Sequence, residues 1–191
     1  MSESISQETI NAFVVAAHHD LPKVKEMLAE EPGLLNESAE WLEMPIQAAA
    51  HTGQREIAQY LLDQGAVLDI CTAAMMGFED DVNAILAEDP SAAQATGAHE
   101  IPLMFFPAIG NNIAIAEKLL AAGADINAGE GGNTALHGAV GSGHLEMVRW
   151  LLAHDANPYA LDFNGKMPID LAEAEHFTEI ADLLRPYMQT E

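Results

Sequence analysis

The sequence predicts an all-α solenoid of about six helix-turn-helix units joined by short hairpin loops. Three observations carry this: a spacing of 33 residues that recurs in the second half of the chain, paired apolar residues one helical turn apart, and Gly and Pro at the unit boundaries. A fixed period of roughly 20–50 residues marks a repeat array, whose single units are too small to bury their own apolar faces.

The period is plain from Asn133 onward, where Ala135 is followed after 33 residues by Pro168 and preceded at the same interval by Pro102. The apolar pattern is that of one helix face: Ile57, Ala58, Leu61 and Leu62, or Met147, Val148, Leu151 and Leu152, fall at i, i+1, i+4 and i+5. Small residues such as Ala48, Ala49 and Ala50 allow the neighbouring helix pair to approach closely. Gly65 and Gly123 stand just after the paired leucines, where a helix end favours a left-handed residue. Pro45, Pro102 and Pro168 are expected at first-helix starts, where the missing N–H costs nothing.

These motifs resemble the ankyrin family, whose unit runs TPLHxAA, a glycine turn, and a second helix ending LLxxGADVNA. The strongest matches are TALHGAVGSGHLEMVRWLL (134–152) and LLAAGADINA (119–128), with MPIQAAAHTGQREIAQYLLDQGA (44–66) on the same template. AFVVAAHHDLPKVKEML (12–28) fits in degenerate form, with Asp20 in place of the turn glycine. A sixth unit, DICTAAMMGFEDDVNAILAEDP, departs from the pattern, because Ile70 follows Ile46 by 24 residues. The resemblance implies one ankyrin-repeat domain over residues 1–191, with units of approximately 1–38, 39–68, 69–97, 98–128, 129–161 and 162–191.

A longer period lies above the first. Asp20, Pro45 and Gly53 recur 57 positions later as Gly77, Pro102 and Gly110, and the loops AEEPGLLNES and AEDPSAAQAT correspond within a residue. Only Val67, Leu68 and Asp69 separate the turn after Gly65 from the next helix, too few for a hairpin. A notch in the row of hairpins is expected there.

Charge limits the partners. The 191 residues carry 7 Lys plus Arg against 30 Asp plus Glu, a formal net charge of −23, which disfavours nucleic acid and anionic membrane surfaces. A basic protein partner suits this surface. One cysteine, Cys71, precludes an internal disulfide. With no basic-then-apolar leader at Met1 to Glu8 and no apolar run of about 18 residues, a monomeric cytoplasmic protein is expected.

GAVGSG (138–143) follows no predicted strand and lacks a P-loop lysine, so no nucleotide site is read there. Ser142 with His137 and His144 lacks a nucleophile elbow; the resemblance implies structural roles for both histidines. No enzyme activity and no cofactor are expected. The resemblance implies partner binding through the concave face and the hairpin tips. In its template, the positions before the turn face the concave side: His18 and His19, His51, Met75 and Met76, then Ile109. Trp41, Leu42 and Phe163 are expected at the tips, where large side chains make good anchors. A second reading, a metal-handling or enzymatic protein, would use His18, His19, His51 and Met75, since imidazole and thioether suit copper or zinc.

Overall fold

The computed structural model describes residues 4–189. Among these residues twelve α-helices stand in six antiparallel pairs: α1 (Gln7–Ala17) with α2 (Leu21–Glu30), α3 (Pro45–His51) with α4 (Arg55–Asp63), and α5 (Ile70–Met76) with α6 (Glu79–Glu88). Then come α7 (Phe105–Ile109) with α8 (Ile113–Ala121), α9 (Ala135–Gly141) with α10 (Leu145–Ala153), and α11 (Pro168–Ala174) with α12 (Thr178–Leu184). Among the described residues no strand forms, only an isolated bridge between Thr96 and Pro102. No helix there is long and apolar enough to cross a membrane.

Local chemistry fixes the helix ends. The side chains of Ser6, Asp20, Asp69 and Thr134 accept the backbone N–H three residues on, which satisfies one of the orphan donors of a helix start. Pro45 and Pro168 occupy first helical positions, and Gly65 and Gly123 take positive φ of 97° and 92° just beyond α4 and α8. Pro102 departs from the expectation, since α7 begins three residues later, at Phe105. The cause is Pro107: it has no N–H to give Leu103, whose carbonyl takes the Phe106 N–H instead at 3.1 Å. The α-helix therefore starts only at Phe105.

The apolar faces merge into one continuous core running through every pair. Ala48, Ala49, Ala73, Ala74, Ala108 and Ala139 are buried at the contacts between successive first helices, and Leu61, Leu119, Leu151 and Leu184 fill the space behind them. Phe105 and Phe106 are core residues. The third pair follows the second with no hairpin, and all seven residues of α5 are buried. The carbonyls at its C-terminal end are capped from both sides. Arg55 donates to Met75 O at 2.8 Å and Met76 O at 2.5 Å, and Asn112 donates to Ala74 O and Met75 O at 2.8 Å each.

Cys71 is 4% exposed on α5, and burial, with the charge of Asp69 adding to it, pushes its thiol far above the ordinary range. The native chain should therefore react with a thiol reagent slower than the denatured chain by at least about two orders of magnitude. Comparable rates with and without denaturant would contradict this packing.

Candidate functional site

Two features stand out on the concave side. The first is a cavity of about 360 Å³ lined by residues from His51 to Leu171. Its inner surface is made of α9 backbone at Gly138 and Gly141 with Ser142, and Phe105, Ile109 and Leu171 supply apolar walls. Small residues are required: a Cβ at Gly138 would lie 2.8 Å from the Phe105 ring and 2.9 Å from Ile109, so glycine lets α7 and α9 close up. Phe163, 71% exposed on the hairpin before α11, also lines the cavity. His144 and His137 are tied into the scaffold. The first donates from Nε2 to Ile109 O at 3.0 Å, while the second bonds Thr134 Oγ1 and Lys166 O. Burial, outweighing the Lys166 carbonyl and Asp162, holds His137 below the ordinary histidine range and so neutral.

The second feature is a cluster of imidazoles around one buried carboxylate. His18 ends α1, His51 ends α3, Glu43 lies two residues before α3, and His99 sits in a 3₁₀ turn, Ala98–Glu100, on the loop before α7. Glu43 is wholly buried. His51 Nε2 lies 2.7 Å and His99 Nε2 3.4 Å from Glu43 Oε1, while His18 Nε2 is 3.5 Å from Oε2 and 3.2 Å from His51 Nε2. Trp41 donates its indole N–H to Glu43 Oε2 at 2.6 Å. Burial pushes the Glu43 carboxyl up, but hydrogen bonds from His51 and Trp41 and the charges of His51 and His18 outweigh it, leaving the group below the ordinary carboxylate range.

The sequence-predicted residues divide accordingly. His18 and His51 come together; His19 is exposed and gives the cluster no donor. Met75 and Met76 are 0% and 7% exposed, which corrects their assignment to an exposed binding surface. The cause is close stacking of α7 on α5: Gly110 packs directly on Met75 O, and Arg55 and Asn112 reach across the same helix end. Ile109 lines the concave cavity, Leu42 is 84% exposed, and Trp41 is 37% exposed with its N–H committed inward. The expected notch is closed at its base. With no hairpin between α4 and α5, the 98–100 turn reaches past the third pair to α3 and sets its His99 ring 5.3 Å from that of His51.

Glu43 and His99 escaped the sequence reading. Their signal lay in the 57-residue period, which makes His99 the counterpart of Leu42 and Glu100 that of Glu43. Leu42 and His99 share a left-handed backbone, φ 65° and 57°.

Family comparisons agree with this architecture. A model described as ankyrin repeat matches residues 43–73, and one described as ankyrin repeats in many copies matches 119–172. The I-Kappa-B like protein G2 of Microplitis demolitor bracovirus is 35% identical over 119 residues, 61% of this chain and 68% of that protein. The chain belongs to the ankyrin-repeat family. Other relatives carry the similarity inside much larger proteins. Oxysterol-binding protein homolog 1 of Saccharomyces cerevisiae is 31% identical over 137 residues, 66% of this ankyrin-repeat chain but 12% of the yeast protein. Glycerophosphocholine phosphodiesterase gde1 of Schizosaccharomyces pombe is 36% identical over 100 residues, 51% of the chain and 9% of that enzyme. As an ankyrin-repeat chain it is a protein-interaction module.

Proposed function

We propose that the chain is a non-catalytic adaptor that binds a basic protein partner on its concave face, seated in the cavity between α7, α9 and α11 with Phe163 as an anchor. The observation that carries the reading is that cavity itself. It is concave, walled by Phe105, Ile109 and Leu171, and lies beside the most exposed aromatic side chain of the described residues, Phe163. The formal charge of −23 supports a basic partner, because a field of one sign raises encounter rates with the opposite sign. Of the N-terminal rungs, Met75 is sealed in the core and Met76 nearly so, which favours the cavity side for the partner.

A photo-reactive amino acid placed at Phe163 should capture a protein from a lysate of the source cells, and the same group at Val67, which is 64% exposed outside the cavity, should not. With the captured protein purified, Phe163→Ala should weaken binding by about 2 kcal/mol, as expected of an aromatic anchor. Association should slow sharply as the Debye length falls to about 10 Å. Equal capture at both positions, with affinity indifferent to Phe163, would refute the concave-face reading.

A further inference from the structure

We propose that His18, Glu43, His51 and His99 form a binding site for a divalent first-row transition-metal ion of the zinc class, a metal staple between the first, second and fourth helix pairs. Four arguments converge on it. The first is geometric. A tetrahedral ion with bonds of about 2.0–2.1 Å to nitrogen and oxygen sets its donors about 3.3 Å apart. Here the donor spacings are 3.2 Å for His18 to His51, 2.7 Å for His51 to Glu43 Oε1 and 3.4 Å for His99 to Glu43 Oε1, while His18 is 3.5 Å from the other carboxylate oxygen, Oε2. The ligand atoms of His18, Glu43 and His51 all lie within 4.8 Å of one another; His99 is outside that set, approaches Glu43 alone, and would swing inward from its exposed loop to become the fourth donor.

The second is the orientation of His18. Its Nδ1 faces Val14 O at 2.9 Å, and a carbonyl only accepts, so Nδ1 carries a hydrogen and Nε2 is the nitrogen turned toward the cluster. A backbone carbonyl on the far nitrogen is the usual device that fixes a metal-ligating histidine. Glu43 is held the same way by the Trp41 N–H on Oε2, which leaves Oε1 toward His51 and His99. The third is charge. Glu43 is fully buried, and among the described residues it pairs with His18, His51 and His99 and with no Lys or Arg. A buried carboxylate that meets only imidazoles has no permanent cation, no Lys or Arg, to offset its desolvation. A divalent ion supplies that charge. On binding, the hydrogen between His51 Nε2 and Glu43 Oε1 leaves for solvent, the ring holds its hydrogen on Nδ1, and the metal takes the vacated place.

The fourth is backbone strain. His99 and Glu100 are consecutive non-glycine residues with φ of 57° and 59°, and Leu42, beside Glu43, has φ 65°. Left-handed residues of this kind persist where the surroundings hold them, typically around a ligand. Three imidazoles with one carboxylate suit zinc, copper or nickel better than magnesium or calcium, which prefer all-oxygen shells. His99, 46% exposed, gives the ion its way in.

The test uses tag-free, chelator-stripped protein titrated with zinc chloride by calorimetry and with cobalt(II) chloride by visible absorption. One equivalent of zinc should bind with sub-micromolar affinity and raise the melting temperature, and cobalt should give the intense d–d bands of a four-coordinate site. His99→Ala, His51→Ala and Glu43→Gln should each weaken zinc binding at least about a hundredfold, whereas His154→Ala should leave it unchanged. Should Glu43→Gln fail to fold, His99→Ala on its exposed loop decides the matter. Absence of stoichiometric binding, or wild-type affinity in His99→Ala or His51→Ala, would overturn the proposal.

Discussion

Deleting residues 162–191 is expected to turn a dispersed chain into an aggregating one. The deletion removes α11 and α12, whose Ile169, Ile180 and Leu184 are buried against the preceding pair. At about 1.5–3 kcal/mol for each large apolar side chain, the lost burial is roughly 5–9 kcal/mol, on the scale of a whole domain's stability. Part of this returns as the entropy of a shorter ordered chain, but the apolar stripe that holds Leu151 and Leu152 would lie open. Light scattering should report association at micromolar concentration, and dye binding should report the exposed surface. A monomeric truncation that unfolds cooperatively would mean that the fifth pair needs no cap.

Gly110→Ala is expected to cost about 3 kcal/mol, the upper end for a single added methyl group. Its backbone needs no left-handed geometry, with φ −79°, so the penalty is purely one of space. An added Cβ would meet Met75 O at 2.2 Å and Asn112 Nδ2 at 2.5 Å, and the first of these is backbone that can move only by separating α5 from α7. That separation would also break the Asn112 and Arg55 bonds to Met75 O. Gly132→Ala is the contrast: the nearest atom to its added Cβ is Gly129 O at 3.5 Å, so it should be neutral or stabilise the chain by about 0.4–1 kcal/mol. Chemical denaturation of the two variants checks both signs, and equal midpoints would contradict the close packing at Met75.

The architecture was legible because it rests on short-range patterning. The apolar pairs of α4 and α10, the glycines after α4 and α8 and the prolines that open α3 and α11 each report a local constraint that stacking leaves intact. Pro102 misled because Pro107, five residues on, controls where the α-helical ladder begins. Where a unit has its own hairpin, as at His51 and Ile109, the side chain lines the cavity. The expectation failed at Met75 and Met76, whose exposure depends on how closely α7 stacks on a pair with no hairpin. The imidazole cluster was half legible. His18 and His51 share one template position 33 residues apart, but Glu43 and His99 arrive through left-handed loop residues whose direction no propensity encodes. The same missing hairpin that predicted a notch is what lets the 98–100 turn cross to α3.

The central claim, that the concave cavity is the partner-binding face, is most directly tested by hydrogen exchange of the chain alone and in complex with the protein captured at position 163. The account predicts slowed exchange in α7, α9, α11 and the hairpin of residues 161–166, with α4, α8 and α10 unchanged. Protection confined to α4, α8 and α10, with the hairpin exchanging as in the free chain, would contradict it.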